Sequence, residues 1–467
     1  MRQFKILGVA LAAALLVAAC GGSDDAVVQA PAIKYTSLVS FGDSLSDVGT
    51  HKVGAVAALG GGTYSVNGIT GAIGDSPTPS KNWTELLAAQ IGVAAPCPAQ
   101  TGLNSAASLG GPVPVVDYPN CRNYAQGGAR VTNPVGPGSA SAPVNSPLGQ
   151  LTVPLVTQIS RHLTRVGGSF SGTELVTVMA GGNDVLRLLD DLVAKATAAG
   201  SAAFGKALVG GLVALVPNPA DQPAAAVAIG TAVATAAAAP GATPTSIVTA
   251  AVTAASAQPG VSLPINPAPI VAAASAAAAS AGAAYAQNNG ANEAVLPMGV
   301  AGKELATYIK SQIVGKGAKY VAVVNLPDVS STPSAKAQSA ETRGLILNMA
   351  IYFNEVLAYE LRGTPGVLVV DVFTESRSQI ANPGAYGLTN VTTPACNLNA
   401  TTPTVPGNGL ADPAKPESGT SLVCNAGNLK PGDVSKYLFA DTVHPTPYGY
   451  KLLADLVNKT MKQAGWL

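Results

Sequence analysis

Short apolar runs alternate along the chain with longer segments in which apolar residues recur at helical spacing. The short runs are rich in β-branched residues, which favours strands. Strands are predicted over Tyr35–Phe41, Glu174–Ala180, Tyr320–Leu326 and Val367–Val372. These runs lack a clean apolar and polar alternation, which indicates a sheet that is buried on both faces.

Segments with helical periodicity lie between these strands. Helices are predicted over Trp83–Ile91, Leu151–Leu163, Val185 onward, Lys303–Val314, Thr342–Leu361 and Pro447–Ala464. The last of them opens with a proline, which suits a first helical turn. Strands that alternate with helices predict an α/β fold of three layers, α/β/α, with a central and mostly parallel sheet.

Alanine dominates residues 194–292, with Gly, Pro, Ser and Thr between the alanines. Alanine favours helix, whereas prolines inside a helix break it. The prediction is therefore a low-complexity insertion of two or more short helices, broken at Pro217, Pro219, Pro240, Pro259 and Pro264. A surface appendage is the favoured interpretation. An apolar lid beside an active site and a disordered segment are the alternatives.

Charge and histidine content exclude two classes of function. Only 11% of the 467 residues are charged, the net charge is +1, and no basic block stands out. Nucleic acid is therefore not an expected partner. The three histidines, His51, His162 and His444, share no metal-ligand spacing with the cysteines, so no metal site is expected.

The N-terminus has the pattern of an export signal. Arg2 and Lys5 precede the apolar run Ile6–Val17, which is too short to span a bilayer comfortably and ends in small residues. Residues 1–20 resemble a bacterial lipoprotein signal with Cys20 at the lipidation position. Processing at such a signal would leave a lipidated Cys20 as the mature N-terminus.

An ordinary secretory signal that is cleaved near Ala19 is the alternative. Residues 21–33 then form a flexible tether, and residues 34–467 form the folded domain that the insertion interrupts. The lipoprotein resemblance implies sorting to the outer membrane, with a membrane as partner through the lipid anchor. Without the anchor, the expected location is the periplasm or the exterior.

Four further cysteines, Cys97, Cys121, Cys396 and Cys424, form an even set in a chain predicted to be exported. Such a set indicates disulfides, and three connectivities are possible. Pairing within each neighbourhood, Cys97 with Cys121 and Cys396 with Cys424, is favoured because each bond would close a loop rich in Pro and Gly.

Three short motifs carry candidate chemistry, and the first is Phe41-Gly42-Asp43-Ser44-Leu45-Ser46-Asp47, directly after the first predicted strand. A nucleophilic serine needs an exposed hydroxyl on a tight turn and nearby N–H groups for an oxyanion. A strand end followed by Gly-Asp-Ser supplies both, which makes Ser44 the candidate nucleophile. A second copy, Gly74-Asp75-Ser76, precedes Pro77 and follows no strand, which predicts a loop.

The second motif, Gly181-Gly182-Asn183-Asp184, also follows a predicted strand. An asparagine at that position can direct its side-chain amide into a cleft. For this motif taken alone, however, a turn in which Asn183 caps the next helix is favoured.

The third motif is Asp441-Thr442-Val443-His444-Pro445, just before the C-terminal helix. An aspartate three residues before a histidine can orient the imidazole and stabilise the imidazolium. His51 and His162 lack an acidic residue three positions earlier. His51 is predicted to lie in a loop, and His162 on a solvated helix face.

In this order the motifs resemble the GDSL family of lipases and esterases, also called SGNH hydrolases. Asn82–Ala88 resembles the first helix of the family, and Asn123–Ala129 resembles its glycine block. Tyr386–Asn390 resembles a segment of the branch that includes bacterial phospholipases, haemolysins and secreted esterases. The resemblance covers most of Lys34–Leu467 except the insertion. The Gly-x-Ser-x-Gly elbow of α/β-hydrolases is absent from the sequence.

This resemblance implies a flavodoxin-like sheet and a serine-esterase site. It implies that Ser44 is the nucleophile and that Asp441 and His444 are the acid and base of a triad. The implied donors to the oxyanion are the N–H of Ser44, the N–H of Gly128 and the side-chain amide of Asn183. Gly127 is the alternative to Gly128.

The implied reaction is hydrolysis of a small-molecule or lipid ester through an acyl-enzyme, which needs no metal or organic cofactor. The apolar insertion and the lipid anchor favour acyl esters. Two alternatives use the same site, namely an acyltransferase and a carbohydrate deacetylase. A third is a surface lipoprotein that keeps the fold for binding without catalysis.

Overall fold

The computed structural model describes residues 33–68, 80–398 and 420–467. The predicted signal with Cys20, nearly all of the predicted tether and the second Gly-Asp-Ser copy with Ser76 lie outside the described residues.

The described strands are β1 (Leu38–Gly42), β2 (Gln100–Leu103), β3 (Val113–Asp117), β4 (Leu175–Met179), β5 (Tyr320–Val324) and β6 (Val367–Val370). Four of them form a parallel sheet in the order β1-β4-β5-β6, and β2 pairs antiparallel with β3. The parallel strands overlap the four predicted apolar runs. The prediction of a central parallel sheet is therefore confirmed.

The described helices are α1 (Gly54–Ala58), α2 (Trp83–Gln90), α3 (Leu155–Arg165), α4 (Gly182–Val213), α5 (Gln222–Ala238), α6 (Pro244–Ser256), α7 (Ala268–Gly290), α8 (Leu296–Tyr308), α9 (Pro333–Lys336), α10 (Ala340–Leu361), α11 (Val372–Ala381) and α12 (Pro447–Gln463). A turn of π-helix, Ala291–Val295, joins α7 to α8 without a break. Thr446 caps α12, and its hydroxyl accepts the N–H of Gly449.

Side chains from the two faces of the sheet enter two separate apolar clusters, because successive strand residues point to opposite faces. One cluster joins α3, α8 and α10 to the strand residues Val39, Phe41, Val176, Val178, Val321 and Val323. The other joins α2 and α12 to Leu38, Leu175, Met179, Ala322 and Val324. The fold therefore has the predicted three layers.

The alanine-rich segment forms helices that are longer than predicted. Helix α4 has 32 residues and α7 has 23. The five prolines that were predicted to break helices lie in the connections that separate α4, α5, α6 and α7 from one another. The four helices share an apolar cluster of their own, whose fully buried members include Leu208, Leu212, Ile229 and Ala251. The segment is thus a packed helical bundle.

Two helical segments, Gly182–Val213 and Ala268–Lys316, are long and apolar enough to cross a membrane by length and composition alone. That criterion is weak because core helices of soluble proteins also satisfy it. Both segments enter the layers that flank the sheet: α4 begins directly after β4, and α8 packs on α10.

Two disulfides, Cys97–Cys121 and Cys396–Cys424, have the pairing that was favoured from the sequence. The Cys97–Cys121 bond closes the segment that contains β2 and β3. Disulfides of this kind persist in oxidising compartments. They therefore indicate that the chain folds outside a reducing cytosol.

The close packing of α8 on α10 gives a test of the fold. A Cβ atom added at Gly302 would lie 2.7 Å from the carbonyl oxygen of Phe353. We expect Gly302→Ala to lower the free energy of unfolding by about 1–3 kcal/mol because the two helices must separate. Urea unfolding followed by circular dichroism measures this change.

Gly344→Ala is the matched control, because this exposed glycine of α10 has no atom within 4 Å of an added Cβ. It should raise the free energy of unfolding by about 0.5–1 kcal/mol, since Gly is the poorer helix former. Unchanged unfolding of Gly302→Ala would contradict the close approach of the two helices.

Candidate active site

A cavity of about 390 Å³ opens at the carboxyl ends of β1, β4 and β5. Ser44 follows β1, Asn183 follows β4, and Leu326 follows β5, and all three residues line the cavity. Gly128 and His444 complete its polar side. Ligands of parallel α/β sheets bind at this edge, because the loops after several strands meet there.

The turn that carries Ser44 is held from two sides. Gln158 of α3 bonds both backbone groups of Gly42, accepting the N–H at 2.9 Å and donating to the carbonyl at 2.8 Å. Asn82, at the start of α2, donates to the carbonyl of Leu45 at 2.7 Å. These contacts fix the backbone on both sides of Ser44. The serine hydroxyl is therefore presented in one orientation.

Ser44, His444 and Asp441 form a continuous hydrogen-bonded chain. His444 Nε2 lies 2.8 Å from Ser44 Oγ, and His444 Nδ1 lies 2.7 Å from Asp441 Oδ2. The same carboxylate accepts the backbone N–H groups of Val443 at 2.8 Å, His444 at 2.7 Å and Ser421 at 2.6 Å. The motif near the C-terminus thus meets the motif after β1 in space.

These contacts determine the charge of Asp441. Burial by itself would raise the pKa of this carboxyl, but the attraction to His444 and the hydrogen bonds from His444 and Val443 outweigh burial and lower the pKa to about 2. An ionised carboxylate only accepts hydrogen bonds, so Nδ1 of His444 carries a hydrogen. When the ring is neutral, Nε2 is then the nitrogen that can accept the hydroxyl proton of Ser44.

Ser44 and Gly128 both line the cavity, and each has a backbone N–H group. Among the described residues, no acceptor takes either of these two N–H groups. The N–H of Gly127 is already used, because it donates to Asp47 Oδ2 at 2.9 Å. The geometry therefore favours Gly128 over Gly127 as an oxyanion donor. Gly128 has φ of +78°, a conformation that suits glycine.

Asn183 lies in the first turn of α4 and does not cap it. The N-cap is Gly181, with φ of +115° and no capping side chain. Asn183 Nδ2 instead donates to the carbonyl of Ala129 at 2.8 Å. The interpretation of Asn183 as a helix cap, favoured for its motif alone, is therefore wrong. An amide nitrogen has two hydrogens, so one remains for a ligand in the cavity.

A buried ion pair joins the glycine block to α4. Asp184 accepts Arg130 Nε at 2.8 Å and the backbone N–H of Val131 at 3.0 Å. Together with the bond from Asp47 to Gly127, this pair fixes the segment before and after Gly128. Asp184 follows Asn183 directly and Asp47 belongs to the first motif, but neither supporting role was predicted from the sequence.

Tyr64 lines the cavity but belongs to none of the three motifs, and it was not predicted from the sequence. Its ring lies 5.0 Å from the imidazole of His444, centroid to centroid, at an interplanar angle of 38°. Its hydroxyl donates to Gln150 Oε1 at 2.8 Å and lies 3.1 Å from Nδ1 of His51. Burial raises the pKa of Tyr64 well above the ordinary value, so the hydroxyl stays neutral. Tyr64 therefore supports one face of His444.

The prediction that His162 is solvated is wrong. His162 is buried, and its ring contacts Phe41, Tyr124 and Phe170. Burial lowers the pKa of its imidazole to about 4, which leaves the ring neutral at pH 7. The helix face that carries it packs on the sheet, and for this reason an amphipathic pattern alone misplaced it. His51 is buried as well, and burial lowers its pKa too.

Asp43 places a second buried carboxyl beside Ser44. Its Oδ1 accepts the N–H of Leu45 at 3.0 Å. Burial raises the pKa of Asp43 to about 7, although that hydrogen bond and the attraction to His444 act in the opposite direction. This carboxyl therefore titrates near neutral pH in the folded chain.

Comparisons with known proteins show the family of this chain. A family model described as GDSL-like Lipase/Acylhydrolase matches residues 38–258 and 272–457, which is most of the chain. The match also includes much of the insertion, which the motif resemblance did not reach. The anther-specific proline-rich protein APG of Arabidopsis thaliana is 26% identical over 155 residues, or 32% of this chain. That aligned part is 26% of the plant protein's length.

The raised pKa of Asp43 predicts a pH dependence of stability. At pH values between the unfolded pKa of about 3.9 and the raised folded pKa, the carboxyl of Asp43 binds more protons in the folded chain than in the unfolded chain. Through this group, the free energy of unfolding should therefore fall by roughly 4 kcal/mol at most as pH rises from 4 to 7. The lowered pKa values of His162 and His51 act in the opposite direction over the same range. Asp43→Asn should therefore raise the stability at pH 7.5 relative to that at pH 4.5, because an amide keeps an acceptor for Leu45 without titrating.

Urea unfolding at pH 4.5 and 7.5 measures the difference. Glu355→Gln, on the exposed side of α10, is the control and should keep the wild-type dependence on pH. An unchanged dependence in Asp43→Asn would show that this carboxyl is not the titrating group.

Proposed function

We propose that this chain, which belongs to the GDSL-like lipase and acylhydrolase family, is a serine esterase that hydrolyses carboxylic esters. In this proposal Ser44 is the nucleophile, His444 is the general base, and Asp441 orients the imidazole. The observation that carries the proposal is the hydrogen-bonded chain from Asp441 through His444 to Ser44, with distances of 2.7 Å and 2.8 Å. The hydrogen-bonded series ends at Ser44, which lines an open cavity.

The proposed reaction has two steps. His444 Nε2 takes the hydroxyl proton as Ser44 Oγ attacks the ester carbonyl, and Asp441 stabilises the imidazolium. The N–H groups of Ser44 and Gly128 and the amide of Asn183 hold the oxyanion. His444 then protonates the leaving alcohol, and the acyl group stays on Ser44. Water that is deprotonated by His444 attacks the acyl-enzyme and releases the acid.

The cavity wall supports an ester with an apolar acyl group. Beside Ser44 and the proposed oxyanion donors, apolar side chains line it, among them Leu45, Leu148, Leu186 and Leu326. A pocket with a few placed polar groups in an apolar wall orients a ligand by the polar groups and binds it by the apolar area. An acyl ester has a polar carbonyl group and an apolar chain, so it fits a pocket of this kind.

Export and lipid anchoring at Cys20 are part of the proposal. Two disulfides support an oxidising compartment, and the apolar run Ile6–Val17 supports an export signal. A lipidated Cys20 would hold the enzyme at a membrane. A Cys20→Ser chain that stays in the membrane fraction of the producing bacterium would contradict the anchor.

Ester hydrolysis tests the nucleophile directly. Purified protein should hydrolyse p-nitrophenyl butyrate, and Ser44→Ala should lower kcat by roughly 10⁴-fold or more because no other group can form the acyl-enzyme. Ser76→Ala, in the second Gly-Asp-Ser copy, is the matched control and should keep wild-type kcat. Activity that survives in Ser44→Ala but not in Ser76→Ala would reverse the assignment.

An alcohol acceptor added to the same assay separates hydrolysis from acyl transfer. Release of free butyrate as the main product is the expected result. A predominance of the new ester would make the chain an acyltransferase that uses the same serine.

Tyr64 offers a test of how His444 is positioned. Tyr64→Leu removes the ring that supports the imidazole and should lower kcat by roughly 100-fold, because small displacements of a catalytic group are costly. Tyr64→Phe keeps the ring and should lose less than about tenfold. Steady-state kinetics with p-nitrophenyl butyrate measure both. Equal losses in the two variants, at equal stability to urea, would argue against support by the ring.

A further inference from the structure

A second cavity of about 650 Å³ lies among the helices of the alanine-rich bundle. Helices α4, α5 and α7 form most of its wall, and Leu345 of α10 closes one side. Within the described chain no charged side chain lines it. Its size lies inside the range of about 300–1,000 Å³ that is usual for small-molecule sites.

The two cavities lie along one face of α4. Leu186 lines the cavity that contains Ser44, whereas Leu189, Val193 and Phe204 line the second cavity. Residues at these spacings share a face of a helix. Between Val193 and Phe204 this face carries small, uncharged residues that also line the second cavity. Leu189 lies about 4.5 Å along the helix from Leu186, and Phe204 about 27 Å, at 1.5 Å per residue. The second cavity thus begins within about one helical turn of Leu186, which lines the first cavity.

Small residues form the floor of this cavity. An added Cβ at Gly200 of α4 would lie 2.9 Å from the carbonyl oxygen of Ala278 of α7, so the two backbones are in close contact there. Gly205 and Gly282 line the same cavity. The two helices therefore touch at Gly200, and the cavity lies beside this contact. Its uncharged and largely apolar wall suits a hydrocarbon chain better than a charged ligand.

We propose that the second cavity binds the acyl chain of a long-chain ester whose carbonyl carbon lies at Ser44. The proposal rests on the proposed ester hydrolysis and adds a substrate class to it. The neighbouring positions of Leu186 and Leu189 on one face of α4 identify the occupant, because a chain that is attached to the reacting carbonyl and extends past Leu186 reaches Leu189 next. The insertion is then a substrate-binding part of the enzyme, and long acyl chains are its specificity.

Substitutions that fill the cavity test this assignment. Ala196 of α4 and Ala237 of α5 line the cavity from different helices. Ala198 is exposed on α4 outside the cavity, so Ala198→Phe is the matched control. Wild type and variants are compared on p-nitrophenyl butyrate and p-nitrophenyl dodecanoate. The shorter acyl group fits the first cavity alone, whereas the longer one must extend along α4.

Ala196→Phe and Ala237→Phe should lower kcat/KM for the dodecanoate ester by about tenfold or more and leave the butyrate value within about twofold. Ala198→Phe should leave both values unchanged. Unchanged hydrolysis of the dodecanoate ester in both filled variants would overturn the proposal. Equal losses on the two esters would overturn it as well, because they would indicate damage to the reaction site.

Calorimetric titration with dodecanoate, the acid that such an ester would release, gives a readout that needs no turnover. The Ser44→Ala chain should bind dodecanoate, and Ala196→Phe in that background should weaken binding by about tenfold. If the Phe variants do not fold, Ala196→Leu replaces them in both assays, because a leucine side chain fills less of the cavity. The same direction of change is expected. If wild type hydrolyses neither ester, the proposed ester hydrolysis is wrong. If Ala196→Phe binds dodecanoate as tightly as the chain without this substitution, the second cavity is not the acyl-chain site, whatever the outcome of the hydrolysis assay.

Discussion

The carboxylate of Asp441 accepts four hydrogen bonds, from the backbone N–H groups of Ser421, Val443 and His444 and from the imidazole of His444. Three of these donors belong to the turn that carries the histidine, so the carboxylate orders the turn as well as the ring. Because the group is buried and ionised, the turn cannot open without leaving a charge unpaired in a region of low dielectric constant. The orientation of His444 towards Ser44 is therefore set by the fold of the loop itself.

Two further carboxylates order the opposite side of the cavity. Asp47 accepts the N–H of Gly127, and Asp184 accepts hydrogen bonds from Arg130 and Val131, so the turn that contains Gly128 is fixed at both ends. These carboxylates lie in the turn after β1 and in the first turn of α4. Each candidate oxyanion donor is thus tied to a strand end of the parallel sheet. A site built in this way is organised before any ligand arrives, which favours electrostatic stabilisation of a developing charge.

The sheet was predictable because its strands are apolar on both faces. A short apolar run such as Tyr320–Leu326 is typical of a buried strand in a parallel sheet. Ser44, Asp441 and His444 could be selected because their motifs are local. Contacts between distant segments could not be predicted, which explains why the choice between Gly127 and Gly128 depended on the bond from Asp47. The same limit applies to Tyr64, which meets His444 only through tertiary packing. His162 was misplaced because the amphipathic pattern of α3 does not show which polar residue faces the sheet.

Helix α4 runs without interruption from Asn183 beside the cavity to Val213 in the bundle, and α7 continues through a π-helical turn into α8, which packs under the sheet. Both junctions of the alanine-rich segment are therefore helix interiors instead of flexible hinges. The segment therefore cannot be deleted without disturbing the rest of the fold, because joining residue 194 to residue 292 would connect the interiors of two helices. Changes in chain length are accommodated best in the connections after α4 and before α7, where Gly260 lies beside Pro217 at the far end of the bundle. There, added or lost residues leave the register of α4 against Ser44 unchanged.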